Sequence, residues 1–139
     1  MDDIGHWHFH EKLPKDCYGF IYEIRNIHTN RKYIGKKQMV KTIKRPPLKG
    51  RKNKRHIIQE SDWKTYTGSC NQLNDEINLQ GKGDFAFTIL GLCYNKWELA
   101  YREAQLQFER GVLLSDEYYN GIINCRIGKK PKNVDITSP

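Results

Sequence analysis

Apolar residues fall in short β-branched and aromatic runs early in the chain and at helical spacing later. Cys17-Tyr18-Gly19-Phe20-Ile21-Tyr22-Glu23-Ile24 has the composition of a strand. Asn26 to Asn30 supplies turn chemistry, and Arg31-Lys32-Tyr33-Ile34-Gly35 returns as a second strand. The pair is predicted to be an antiparallel hairpin with a short loop. Trp63-Lys64-Thr65-Tyr66 reads as a further short strand, followed by a turn at Gly68-Ser69 with Ser69 as a helix cap. Leu73 and Ile77 fit a short amphipathic helix stopped by Gly81 and Gly83. Phe85 to Leu90 is the clearest strand of the second half. Trp97 to Leu114 is the longest helical pattern, with Leu99, Glu103, Leu106 and Arg110 along one face and Gly111 towards its end. Tyr118 to Gly121 reads as a turn. This order predicts an α+β fold, a small mostly antiparallel sheet with flanking helices.

The ends and one middle stretch lack such patterning. Met1 to Lys15 reads as a loosely held N-terminal arm, residues 16–128 as the domain, and residues 129–139 as a polar tail. Within the arm, His6, His8 and His10 alternate with aromatics and would share one face of a strand. An exposed polar face is favoured there over a metal site, since no other ligand is implied. Lys36 to Gln59 carries Pro46-Pro47, Gly50 and few apolar residues, and is predicted to be a long basic loop ordered by its ligand.

Charge sharpens that reading. The 139 residues suit one domain with one core, and they carry a formal charge of +8. Ten Lys or Arg and no acid lie between Lys36 and Arg55. Such a block repels itself unless an anion sits against it, and nucleic acid is the commonest anionic partner. Lys36, Lys37, Arg51, Lys52 and Lys54 are the expected phosphate contacts. The four cysteines are far apart, so no CxxC knuckle exists. The polar, acidic N-terminus is unlike a signal peptide, which points to reduced, mostly buried thiols in the cytoplasm. No apolar run approaches the roughly 20 residues that a membrane span needs.

Phosphodiester cleavage needs a water that loses a proton, positive charge around the transition state, and a stabilised leaving oxygen. The hairpin places two tyrosines on adjacent strands, in Gly19-Phe20-Ile21-Tyr22 and Tyr33-Ile34-Gly35, followed by Lys36 and Lys37. Tyr18 to Lys37 resembles the paired motif of the GIY-YIG nuclease superfamily at the family's spacing. Phe20 stands where the family usually has glycine, with Gly19 one residue earlier. Glu103 on the long helix resembles the family's metal-binding carboxylate, and Tyr119-Asn120 its aromatic-Asn pair. Trp63 to Ser69 is similar to the Seg-like phage endonucleases.

The resemblance implies a role for each residue. Tyr33 would be the general base acting on water, and Tyr22 would bond to it or to the phosphate. Glu103 would bind one Mg²⁺, with Mn²⁺ able to substitute, and Asn120 would support the site. The family's cationic partner is ambiguous because the stretch after Gly35 is long: Arg51, Arg55, His56 and Lys64 are candidates, Arg55 slightly favoured. DNA, double-stranded, is the implied substrate, with no membrane and no small-molecule cofactor involved. A Seg-like origin would place the protein in the cytoplasm of a phage's bacterial host. Taken singly, each residue has a plainer reading: cross-strand tyrosine packing, solvated helix acids at Glu98 and Glu109, a turn at Asn120-Gly121. Their joint occurrence carries the nuclease reading over a non-catalytic nucleic-acid-binding module or an unrelated RNA-binding protein.

Overall fold

The computed structural model describes residues 3–136. The chain runs β1 (Gly19–Asn26), β2 (Lys32–Gln38), β3 (Val40–Arg45), β4 (Arg55–Glu60), α1 (Asn71–Gln80), β5 (Phe85–Cys93) and α2 (Lys96–Glu109), with a 3-10 turn at Lys82–Asp84. The first hairpin forms as its turn residues dictate. Asn26 Oδ1 accepts from the amides of His28 and Thr29, and Asn30 takes a left-handed φ of 63° to bring the chain back. The main sheet has order β2-β1-β5 with antiparallel neighbours, so the predicted α+β class is the observed one.

Central β1 is apolar on both sides because both sides are covered. Phe20, Tyr22 and Ile24 face one layer, shared with Leu73 and Ile77 of α1 and Phe85, Phe87 and Ile89 of β5. Ile21 faces the other, with Ile34 and with Leu99 of α2. Helix α1 thus covers one face and α2 the opposite one. Leu73 and Ile77, four positions apart, make the buried stripe of α1, and full burial of such side chains contributes about 1.5–3 kcal/mol each. The helix ends at Gly81, whose φ of 92° suits glycine alone.

Several local expectations are corrected. Among the described residues, the N-terminal arm is anchored at Trp7, which is 2% exposed: its indole N–H donates to Trp63 O at 2.5 Å, and its ring packs on Phe20 and Tyr22. The His6–His10 stretch makes one bridge, His8 beside Thr88, rather than a strand. His6 stacks on Phe87 at 3.9 Å, and burial, with Lys82 nearby, lowers its pKa to about 4. The basic stretch is not a loop. It is a two-stranded ribbon, β3 against β4, with a basic tip at residues 46–54. Trp63 to Tyr66 is a turn, not a strand. Cys70, not Ser69, occupies the N-cap of α1, without a side-chain cap bond. Helix α2 stops at Glu109 instead of running to Leu114. Tyr118 is extended, bridging to Lys32, instead of turning.

Glu98 is a further correction. A single helix acid reads as solvated, yet Glu98 is 1% exposed. Asn95 caps α2 by accepting from the Glu98 amide at 2.8 Å, and Glu98 Oε1 reaches back to the Tyr94 amide at 3.0 Å. This is the reciprocal logic of a capping box. Glu98→Ala is expected to lower stability by about 1–3 kcal/mol, because the part-buried Tyr94 amide loses its acceptor and the space of a buried side chain is left empty. Urea unfolding measures this, and an unchanged midpoint would refute it.

The cysteines are free: Cys17 and Cys93 are buried, Cys70 is half-buried and Cys125 exposed. Burial raises both the Cys17 and Cys93 thiols, Cys93 to about 12, so neither is a ready nucleophile. Among the described residues, no helix is long and apolar enough to cross a membrane.

Candidate active site

Antiparallel register fixes the two motif tyrosines. Tyr22 pairs with Gly35, and Ile24 with Tyr33, so both phenols stand on one face of the sheet. Their ring centroids are 6.2 Å apart, and Tyr66, from the turn before α1, lies at the same distance from Tyr22. Gly35 is required by this arrangement. A side chain there would meet the Tyr22 hydroxyl at 2.5 Å and the Tyr33 ring at 2.9 Å. Gly68, with a φ of 85°, closes over the same two rings.

The two phenols are not equivalent. Tyr22 is 1% exposed, and burial, reinforced by the charges of its neighbours, raises its pKa well above the ordinary value. Tyr33 is half-buried, and its hydroxyl lies 3.2 Å from Ser69 Oγ. Burial raises its pKa too, with Glu103 adding to the rise and Ser69 opposing it. Both phenols are therefore protonated near neutral pH.

The free edge of β2 organises the rest. Alternate residues of β2 turn their backbone groups away from β1. The Lys32 amide donates to Glu117 O, and Lys32 O accepts from Tyr119 N at 2.7 Å. At Ile34 no strand takes the backbone. Asn120, 8% exposed, accepts from Ile34 N at 3.0 Å and donates to Ile34 O at 2.8 Å, and Gln107 Nε2 donates to that same oxygen. Two residues further on, the Lys36 backbone amide bonds the Glu103 carboxylate. The sequence Tyr33-Ile34-Gly35-Lys36 is thereby gripped between the Tyr22 ring and the side chains of Asn120, Gln107 and Glu103.

Glu103 and Gln107 share a face of α2, four positions apart. Burial raises the Glu103 carboxyl above the usual range, while the Lys36 charge and amide oppose the rise. Lys37 lies on the tyrosine face of β2. Its Nζ stands 2.7 Å from Asp62 Oδ1 and 4.1 Å from the centre of the Tyr66 ring.

Of the sequence-nominated residues, the structure brings together Tyr22, Tyr33, Lys36, Glu103 and Asn120. It does not bring Arg55 and His56 to them. These pair with Arg45 and Lys44 at the far end of the ribbon, four and five positions from its root pair Val40–Glu60, about 13–17 Å along a strand. Arg51, Lys52 and Lys54 lie in the tip beyond. Lys64 Nζ sits 3.6 Å from both Asp3 and Glu60. Sequence reasoning did not nominate Tyr66, Ser69 or Gln107 for the site. The first two lie in Trp63 to Ser69, so the motif itself was the signal. For Gln107 the signal was its position one turn after Glu103.

Residues 5–123 match the family model of the SegE endonuclease GIY-YIG domain. The chain belongs to this GIY-YIG family. No curated protein and no solved structure gives a match. In this GIY-YIG domain the first motif ends in Tyr22 and the second supplies Tyr33 and Gly35, so the motif pair is one physical unit, two phenols wedged against a glycine. The match also takes in the ribbon, the Trp63–Ser69 turn and the Asn120 segment. It begins two residues before buried Trp7.

The family implies a divalent metal, and the donor set can be tested for fit. Among the described residues, no three His, Cys, Asp or Glu converge on a metal-sized site. One hard oxygen donor, Glu103, stands at the β2 edge with its anion partly stripped of water. Mg²⁺ keeps several waters and accepts a single protein carboxylate, so the arrangement fits such an ion and not a fully protein-caged one.

Proposed function

We propose that this GIY-YIG domain is an endonuclease that hydrolyses phosphodiester bonds of double-stranded DNA with the help of Mg²⁺, for which Mn²⁺ can substitute. The observation that carries the reading is the Glu103 carboxylate held by the Lys36 amide, close enough to both phenols for its charge to act on them. A carboxylate, two phenols and two ammonium groups gathered around β2 are the ingredients that phosphodiester hydrolysis requires.

Glu103 would hold the metal, which supplies positive charge to the scissile phosphate and the departing oxygen. Tyr33, the more accessible phenol, takes the proton from the attacking water when it is itself ionised, and Ser69 holds its hydroxyl in place. Tyr22, sealed under Gly35 and Gly68, orients Tyr33 through ring packing and contributes no proton to solvent. Asn120 holds the Ile34 backbone, and through it the position of Tyr33. Lys36 and Lys37 take the cationic part that the sequence leaves open, since they, and not Arg55 or His56, stand beside the carboxylate and the tyrosines.

The direct test is conversion of supercoiled plasmid to nicked or linear forms. Cleavage is expected with Mg²⁺ and is expected to stop with EDTA. Retention of plasmid as protein-bound but intact DNA across Mg²⁺ and Mn²⁺ would sink the enzymatic reading and leave a binding module.

A further inference from the structure

The β3–β4 ribbon is the largest feature that the cleavage chemistry leaves unused. We propose that it inserts into the major groove of B-form DNA, bringing the duplex to the tyrosine edge. The inference deepens the DNA-cleaving reading and takes its choice of nucleic acid from it.

Shape is the first argument. β3 and β4 pair only with each other, and Ser61 N–Met39 O, at 2.9 Å, ties the ribbon's root to the end of β2. Six residues per strand at about 3.3 Å each give an arm of about 20 Å before the tip begins. Two strands about 4.8 Å apart, with side chains, fit a groove about 12 Å wide. The minor groove of an undeformed duplex, about 6 Å wide, is too narrow for them.

Charge distribution is the second. The register puts Thr42, Ile58, Lys44 and His56 on one face, and Lys41, Arg45 and Arg55 on the other. Cations therefore stand on both faces, four more occupy the tip, and no acid lies between Lys36 and Gln59. A ribbon lying flat on one phosphate backbone needs cations on one face only. Cations on both faces and at the end suit a ribbon flanked by two walls of phosphate.

Surface chemistry is the third. Ile58 is 72% exposed in the middle of the arm, beside exposed Thr42 and His56. An apolar side chain held out among lysines gains nothing from phosphate. In the major groove it meets thymine methyls, while hydroxyl and imidazole meet base edges. The major groove of A-form RNA is too deep and narrow for such an arm.

Fluorescence anisotropy with the full chain, in EDTA so that nothing is cut, tests this. Three ligands of one sequence are compared: a plain DNA duplex, a duplex with bulky C5 substituents on its pyrimidines, which fill the major groove, and the RNA duplex. Wild type is expected to bind the plain duplex about tenfold or more tightly than either alternative. The variant Arg51→Ser/Lys52→Ser/Lys54→Ser, altered only in the tip, is expected to bind weakly and to lose most of that discrimination. Equal wild-type affinity for the plain and groove-filled duplexes overturns the inference, as does full discrimination by the tip variant. Groove dependence without plasmid cleavage in Mg²⁺ would refute the nuclease reading alone. Cleavage without groove dependence would refute the ribbon's role alone.

Discussion

Glu103→Gln is expected to abolish Mg²⁺-dependent cleavage, by about 10³-fold or more, while leaving the fold as stable as before or more stable. The stability half follows from the direction of its pKa. Burial raises the Glu103 carboxyl above its ordinary value. A carboxyl raised by folding stabilises the protein below its unfolded pKa, and that stability is lost as pH climbs through the folded value. At neutral pH the buried anion is therefore a burden, which glutamine removes. Functional sites often carry such a cost. Added Mg²⁺ should raise the Tm of wild type but not of the variant. At a concentration about 100 times Kd the gain is about 2.7 kcal/mol. Exposed Glu109 is the proper control. Glu98 is not, because its substitution damages the start of the same helix. Plasmid nicked at the normal rate by Glu103→Gln would remove the carboxylate from the chemistry.

Tyr33→Phe is expected to slow cleavage by about 10²–10⁴-fold with DNA binding and Tm nearly intact. The Tyr33 pKa is raised, by burial first and then by Glu103, so its ionised form is scarce at neutral pH. Wild-type cleavage should therefore accelerate with pH, by about tenfold per unit below that pKa, if ionised Tyr33 is the base. The Phe variant should lose this dependence. A pH profile identical in both proteins would clear Tyr33 of the role. Tyr66 would then be the next phenol to test, ahead of Tyr22, which water does not reach.

The elements that could be read from sequence are those built from local patterning. The hairpin of β1 and β2, the stripe of α1, β5 and most of α2 follow from strand-forming runs, turn asparagines and helical spacing. The α+β class follows from their order. The misread elements owe their form to distant partners. Trp7 looks like part of a polar arm until Phe20 and Tyr22 bury it. The ribbon lacks apolar alternation because neither face is fully covered, so Ile43–Ile57 and the pairs around it leave little periodic trace. Glu98 resembles Glu109 in sequence, and only the start of α2 distinguishes them. Within the site, motif residues in the hairpin were legible because register alone brings them together. The cation proposed for the site was not, because the basic run offers many Lys and Arg side chains and its composition does not say which of them fold back to the hairpin. Where the excursion from Val40 to Glu60 points cannot be deduced from its composition.

The manner in which β2 is closed has a consequence for how the protein survives in a crowded solution. An uncovered strand edge is a template on which another chain can build, the first step of aggregation. Here the outer edge of β2 is met by the backbone of residues 117–119, by the carboxamide of Asn120 and by the carboxylate of Glu103. The last two are side chains standing in for a missing neighbour strand. Residues to which the proposed mechanism gives a part thus also cover an edge on which copies of the molecule would otherwise join. Selection against self-association and selection for activity would act on the same asparagine.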